Sequence, residues 1–333
     1  MAVLPVPENI SEEYYQISEA ILSSFPKYRP PLDFFVFKDT IGQLVSYSRK
    51  GDRLSNEQVE ELRSLCLEGD LYVSRKDHSV YAEHIVKQLD LVLVDQNLKE
   101  AEVADICLKG LEGRLEEFFS QPVKSVFDSL YVDSMVVLEY IWTDIHRLRL
   151  FFRRLRRAEH SLARQSINSF IVGLWLFSSP KNEELRRKDF DQAGQALLCK
   201  DVGMAKVPPF ILSKTSPLKP EEREKILTHP LAGYKIMHKL DQTFDRMRQA
   251  CLEHHERLDG SGYPQRTKDI SSFGRLTAVA DAFSAIVQKR PYAEAREPEE
   301  AARELSQDRT RFDPAFTGPL LAALVSESFG KLK

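Results

Sequence analysis

Apolar and polar residues follow two different rhythms along this chain. In the first 130 residues the rhythm changes repeatedly. Ser11 followed by EEYYQISEAILSSF predicts a capped amphipathic helix, ended by Arg29-Pro30-Pro31. LDFFVFKDTIGQLVSYSRKGDR then gives two runs rich in β-branched and aromatic residues, 34–38 and 43–48, with Gly42 in the connecting turn. Gly51-Asp52 marks the next turn. Ser55 and Gln58 form a capping-box pattern ahead of Val59, Leu62 and Leu65, so a helix follows. Residues 69–77 read as a short strand closing the sheet, and 79–92 and 98–118 are helical by period. Residues 1–130 are therefore expected to form a smaller N-terminal α/β module with a regulatory or partner-binding role. His78, His84 and His146 stand alone and are expected to be surface or packed histidines.

From about residue 123 helical spacing takes over, and residues 131–333 are expected to form an all-helical domain, making the chain mainly α. Residues 133–158 carry apolar positions at helical spacing and then the cluster Arg147, Arg149, Arg153, Arg154, Arg156 and Arg157. Because the chain as a whole is slightly acidic, the cluster reads as a solvated or interdomain face rather than a nucleic-acid stripe. A phosphate contact from one or two of these arginines stays open. SSPKNEE, 178–184, reads as a loop, and its prolines make KVPPFIL, 206–212, a loop rather than a strand.

Composition narrows the function classes. A net charge of −3 gives no global basic field for nucleic acid or an anionic membrane. The longest apolar run, FIVGLWLF at 170–177, is too short to span a bilayer, and the N-terminus lacks the pattern of a signal peptide. Cys66, Cys107, Cys199 and Cys251 form no C-x-x-C pair and sit among apolar neighbours, as reduced buried thiols in a cytoplasmic protein do.

The second half scatters candidate ligands over several helices. His160 begins the apolar helix 160–177, and Asp201 closes FDQAGQALLCKD. His229 precedes Pro230, His254 and His255 end a helix that breaks at Asp259-Gly260, and Asp281 lies inside RLTAVADAFSAI. Carboxylates among such apolar neighbours are costly unless paired or metal-bound. Imidazoles with carboxylates suit zinc, iron or manganese. Adjacent helical residues point about 100° apart, so one ion would rarely take both His254 and His255 in regular helical geometry. Two ions could each take one. Each position taken singly is more often a hydrogen-bonded core residue, a cap or a salt-bridge partner, and the spacing alone is not diagnostic.

The motif HHERLDGSGYP, 254–264, closely resembles the HHExxDGxGYP signature of the HD-GYP family, a branch of the HD phosphohydrolases. The resemblance runs from about 155 to 320 through HSLA, THPLAGYKIM, RLTAVADAF, KRPY and FDP. It implies an all-α, cytoplasmic or membrane-tethered domain that hydrolyses cyclic di-GMP with two or three metal ions, often iron. It assigns His160, Asp201, His229, His254, His255 and Asp281 as metal ligands, with Asp201 bridging two ions. It assigns Arg290 to phosphate, and Gly262, Tyr263 and Pro264 to a loop beside the ligand groove.

The departures from the family pattern matter equally. Lys200 stands where the family has the histidine of its His-Asp pair, and an ammonium cannot ligate a metal unless deprotonated. Met204 replaces a phosphate-binding lysine, Ala293 a basic residue, Ser284 an aspartate, and Arg156 the glutamate of three-metal members. Lys206 is a candidate stand-in for the lost lysine. These changes imply one or two ions, iron or manganese, and one reading has the Lys200 ammonium take the first ion's position. They leave two functions open: a phosphodiesterase of weakened activity with Asp201 and Lys200 at its catalytic centre, or a silent relative that senses nucleotide or binds a signalling protein. The implied partner is cyclic di-GMP or a related nucleotide, without nucleic acid or a membrane span, and a homodimer is compatible with the resemblance.

Overall fold

The computed structural model describes residues 13–95, 97–155, 157, 161–179, 185–290 and 293–326. The chain divides into two compact units, Met1–Gly110 and Leu111–Lys333.

The first unit is built on a four-stranded antiparallel sheet in the order β1-β4-β2-β3. β2 (Phe34–Lys38) and β3 (Gln43–Ser48) form the expected hairpin, with Gly42 at φ 58° in the turn. β4 (Leu71–Ser74) pairs with β2 and lies beside β1 (Tyr14–Gln16). The Asn56–Glu68 helix starts with the predicted capping box between Ser55 and Gln58. Leu44, Leu71 and Val73 are fully buried.

The helix expected over 11–25 forms in its second half only. Tyr14–Gln16 is a strand, the helix spans Glu19–Ser24, and Ser11 lies outside the described residues. Tyr15 explains the difference: its side chain is fully buried and stacks on Tyr81 with centroids 4.5 Å apart. That contact and the β4 ladder outweigh local helix preference. The expected 79–92 helix is likewise two pieces, His78–Ile85 and Leu91–Val94.

Among its described residues the second unit's regular elements are helices, with an isolated β-bridge between Arg290 and Ala293. The Leu162–Ser178 helix packs against the Arg187–Cys199 and Ser272–Ile286 helices, and the Asp245–Glu253 helix packs on those two. Apolar residues on all these helices close the core, with Phe170, Phe190 and Phe283 fully buried. The long helix expected over 133–158 ends at Thr143, and a short Leu148–Phe152 helix follows. Among the clustered arginines, Arg147 lies over the Tyr140 ring and Arg157 pairs with Glu297, while Arg156 is outside the described residues. Of the 178–184 loop only 178–179 are described, with Ser178 closing its helix. KVPPFIL carries a short helix, Pro209–Leu212, which proline opens at its first turn. Among the described residues no helix is long and apolar enough to cross a membrane.

Candidate metal centre

Close backbone packing gathers the site. Asp201 follows the Arg187–Cys199 helix and opens a 3-10 turn, Val202–Lys206. A Cβ on Gly203 would lie 1.9 Å from the carbonyl oxygen of His229, so only glycine lets this turn rest on the start of the His229–Lys239 helix. Glu253 ties the next elements together. Its Oε2 accepts from the Ser271 amide at 2.9 Å and the Ser271 hydroxyl at 2.6 Å. That bond fixes the end of the Asp245–Glu253 helix, and hence His254, beside the helix carrying Asp281.

Asp201 faces two ways. Its Oδ1 lies 3.4 Å from Nε2 of His229 and 3.4 Å from Nε2 of His254, which are 3.1 Å from one another. The opposite ring nitrogens are committed: Nδ1 of His229 donates to the Ile226 carbonyl and Nδ1 of His254 to the Ala250 carbonyl, both at 2.7 Å. Both Nε2 atoms therefore present lone pairs to each other and to a carboxylate oxygen. Three acceptors converging in a buried place call for a cation. Ligand atoms about 2.0–2.2 Å from a tetrahedral or octahedral ion lie about 3.0–3.5 Å apart, which matches these separations. The backbone carbonyls supply the outer hydrogen bonds that orient metal-binding imidazoles.

His255 joins the cluster. The ligand atoms of Asp201, His229, His254 and His255 all lie within 4.8 Å of one another. The helix ends at Glu253 with His254 still in helical conformation (φ −63°, ψ −18°), and the two adjacent rings nonetheless lie with centroids 4.1 Å apart. Burial pushes the His254 imidazole below its ordinary pKa and the His255 imidazole well below it.

The other face of Asp201 holds Lys200, whose side chain is fully buried. The ammonium donates to Asp201 Oδ2 and to Asp281 Oδ1, the latter at 2.7 Å. Burial alone would lower its pKa, but the two carboxylates outweigh burial and hold it above the ordinary lysine value. Burial likewise opposes the charge on both aspartates, yet Lys200 keeps each below its ordinary value. The residues thus fit one ion on the imidazole side, while an ammonium fills the carboxylate side.

A cavity of about 970 Å³ opens over the cluster, lined by Asp201, His255, Tyr263, Asp281 and Arg290 among others. Tyr263 stacks on His255 with centroids 4.5 Å apart. Its loop is held by Glu256, which is buried and accepts from the Gln265 and Arg266 amides at 2.6 and 3.1 Å. Gly262 lets the loop press inward, since a Cβ there would lie 2.4 Å from Cα of Glu256. Met204 also lines the cavity, whereas exposed Lys206 does not, and His160 lies outside the described residues.

Two residues of the site were missed in the sequence: Glu256, hidden inside the signature, and Gln165. Gln165 donates to Asp281 Oδ1 at 2.8 Å and accepts from Arg290 at 3.0 Å. Nothing in the sequence set it apart, because Arg164, Ser166, Asn168 and Ser169 beside it are polar too.

Residues 175–316 match the HD domain family. The cyclic di-GMP phosphodiesterase of Thermotoga maritima is 36% identical over 136 residues, which cover 40% of this chain and 35% of that protein. The cyclic di-GMP phosphodiesterase PA4108 of Pseudomonas aeruginosa is 36% identical over 125 residues, 37% of this chain and 30% of that protein. The chain therefore spans about a third of the length of these relatives. Bd1817, an HDG"Y"P protein from Bdellovibrio bacteriovorus, shares the fold with a TM-score of 0.58 and 17% identity, over 94% of this chain and 99% of that one. With the HHERLDGSGYP signature folded around a His/Asp cluster, residues 175–316 form an HD domain similar to those of the HD-GYP branch.

Proposed function

We propose that this chain is a divergent phosphodiesterase-type protein of bacterial cyclic di-GMP signalling. It holds one divalent transition ion, iron or manganese, at Asp201, His229, His254 and His255. It hydrolyses cyclic di-GMP or a related dinucleotide weakly. The observation that carries this reading is the convergence of two imidazole lone pairs and one oxygen of Asp201. A divalent ion bound there supplies Lewis acidity and a hydroxide nucleophile at neutral pH.

The chain's own groups divide the remaining work. Asp201 turns one oxygen to the imidazoles and the other to Lys200. Lys200 brings a fixed positive charge to a position next to the ion and offsets the charge of the two carboxylates. Arg290, on the cavity wall, offers the planar donor fork that suits phosphate. Tyr263 offers a ring face on which a base stacks. Met204 brings no charge to that wall, which supports weakened rather than full activity. Residues 1–130 act as the regulatory or partner-binding module, and the protein works in the cytoplasm.

A second reading, a silent domain that senses nucleotide or binds a protein, is favoured by the complete burial of Lys200 between both aspartates. Metal analysis of protein purified without chelator, with a cyclic di-GMP cleavage assay on the wild type and Lys200→His, separates the two. We expect about one ion per wild-type chain with slow cleavage, and more metal and faster cleavage in the variant. One ion without cleavage supports the silent domain, and no metal in either protein overturns the ligand set.

A further inference from the structure

Arg290 does not reach the aspartates directly; a glutamine stands between them. Gln165 sits in the first turn of the Leu162–Ser178 helix, with only 8% of its surface exposed. Its amide nitrogen donates to Asp281 Oδ1 at 2.8 Å, and its amide oxygen accepts from Arg290 at 3.0 Å. The chemistry of the two neighbours fixes this orientation. The carboxylate only accepts and the guanidinium only donates, so the amide must turn its nitrogen to one and its oxygen to the other. Asp281 Oδ1 also takes the Lys200 ammonium at 2.7 Å. A continuous line of hydrogen bonds therefore runs from Lys200 through Asp281 and Gln165 to Arg290.

We infer that Gln165 is a positioning residue for nucleotide binding, holding the Arg290 guanidinium at the cavity wall by tying it to the Asp281 carboxylate. The inference rests on the reading of the cavity as a cyclic dinucleotide site. An amide suits the position because it satisfies a pure acceptor and a pure donor at once. A glutamate there would set a second carboxylate 2.8 Å from Asp281, and an apolar residue would leave both neighbours without this partner. The line also joins the phosphate-contacting arginine to the group that fills the carboxylate side of the centre, so the wall and the centre are held as one unit.

The test is calorimetric binding of cyclic di-GMP to the metal-loaded full chain, comparing wild type, Arg290→Ala, Gln165→Met and the double variant. Loss of a hydrogen bond to a charged group corresponds to about a tenfold weakening, so Gln165→Met and Arg290→Ala should each bind about tenfold more weakly. The double variant should bind no more weakly than Arg290→Ala alone, because Gln165 acts through Arg290. Metal content should not change in Gln165→Met. Should the methionine variant fail to fold, Gln165→Ala takes its place with the same expected weakening. Wild-type affinity in Gln165→Met, or losses that multiply in the double variant, would overturn the inference. If Arg290→Ala loses affinity and the Gln165 variant does not, the inference alone fails. If the wild type binds no cyclic di-GMP, the proposed function fails and the inference with it.

Discussion

The two faces of Asp201 solve the same electrostatic problem in opposite ways. Toward Oδ1 the chain gathers two imidazoles whose Nε2 atoms converge, and among the described residues no lysine or arginine bonds there. Toward Oδ2 it inserts Lys200, and the ammonium bonds both Asp201 and Asp281. The imidazole side offers converging acceptors that suit a cation from outside, while the ammonium side is complete within the chain. One carboxylate can thus serve a binding site and a structural ion pair at once. The difference also locates the departure of this chain from the family pattern, since a single residue, Lys200, ties the Asp201 and Asp281 carboxylates into the buried core.

The hardest blow to this contrast is Lys200→Met. It leaves two buried carboxylates with no ammonium between them. Removing one partner of a buried charge pair costs about 3–5 kcal/mol. Urea denaturation in the presence of chelator should show a loss of that size. A loss below about 1 kcal/mol would mean that Lys200 is not what holds the carboxylate side together.

His229→Ala attacks the other side and should give a smaller effect that depends on metal. A ligand at a hundred times its dissociation constant stabilises a fold by about 2.7 kcal/mol. Manganese added to chelator-stripped wild type should raise stability by roughly that amount, and His229→Ala should lose nearly all of the gain. An equal gain in both proteins would place the ion elsewhere. The Lys200 pair should survive in this variant, so its stability loss in chelator should be smaller than that of Lys200→Met.

How much of this was legible in the sequence follows from the range of each interaction. The β2–β3 hairpin and the Ser55–Gln58 capping box are local, and their spans could be read directly. β1 could not, because its partner β4 lies far along the chain and Tyr15 is committed by stacking on Tyr81. The metal-ligand assignment came from a signature, not from spacing, and the exit of the chain from its helix at Glu253 was invisible beforehand. Lys200 could be seen to occupy a ligand's place. That its ammonium would bond Asp281, 81 residues later, depends on the fold. Gln165 was passed over for the same reason, because its two partners lie 116 and 125 residues away.

The gentlest probe is pH, and it separates the two sides at opposite ends of the scale. Burial lowers the pKa of His254 and His255, so the folded chain keeps them neutral where the unfolded chain takes up protons. Below about pH 6.5 the unfolded state binds more protons, and stability falls as pH falls. Each imidazole contributes a slope of at most about 1.4 kcal/mol per pH unit. Lys200 behaves in the reverse sense. Its pKa is raised because the two carboxylates outweigh burial, so its contribution is full below about pH 10.4 and is lost only as pH climbs through the folded value. In chelator, His255→Gln should therefore flatten the acid limb of the stability profile and leave the alkaline limb unchanged. An acid limb as steep as that of the wild type would show that His255 is not held neutral by burial, and the imidazole side would lose one of its two titrating groups.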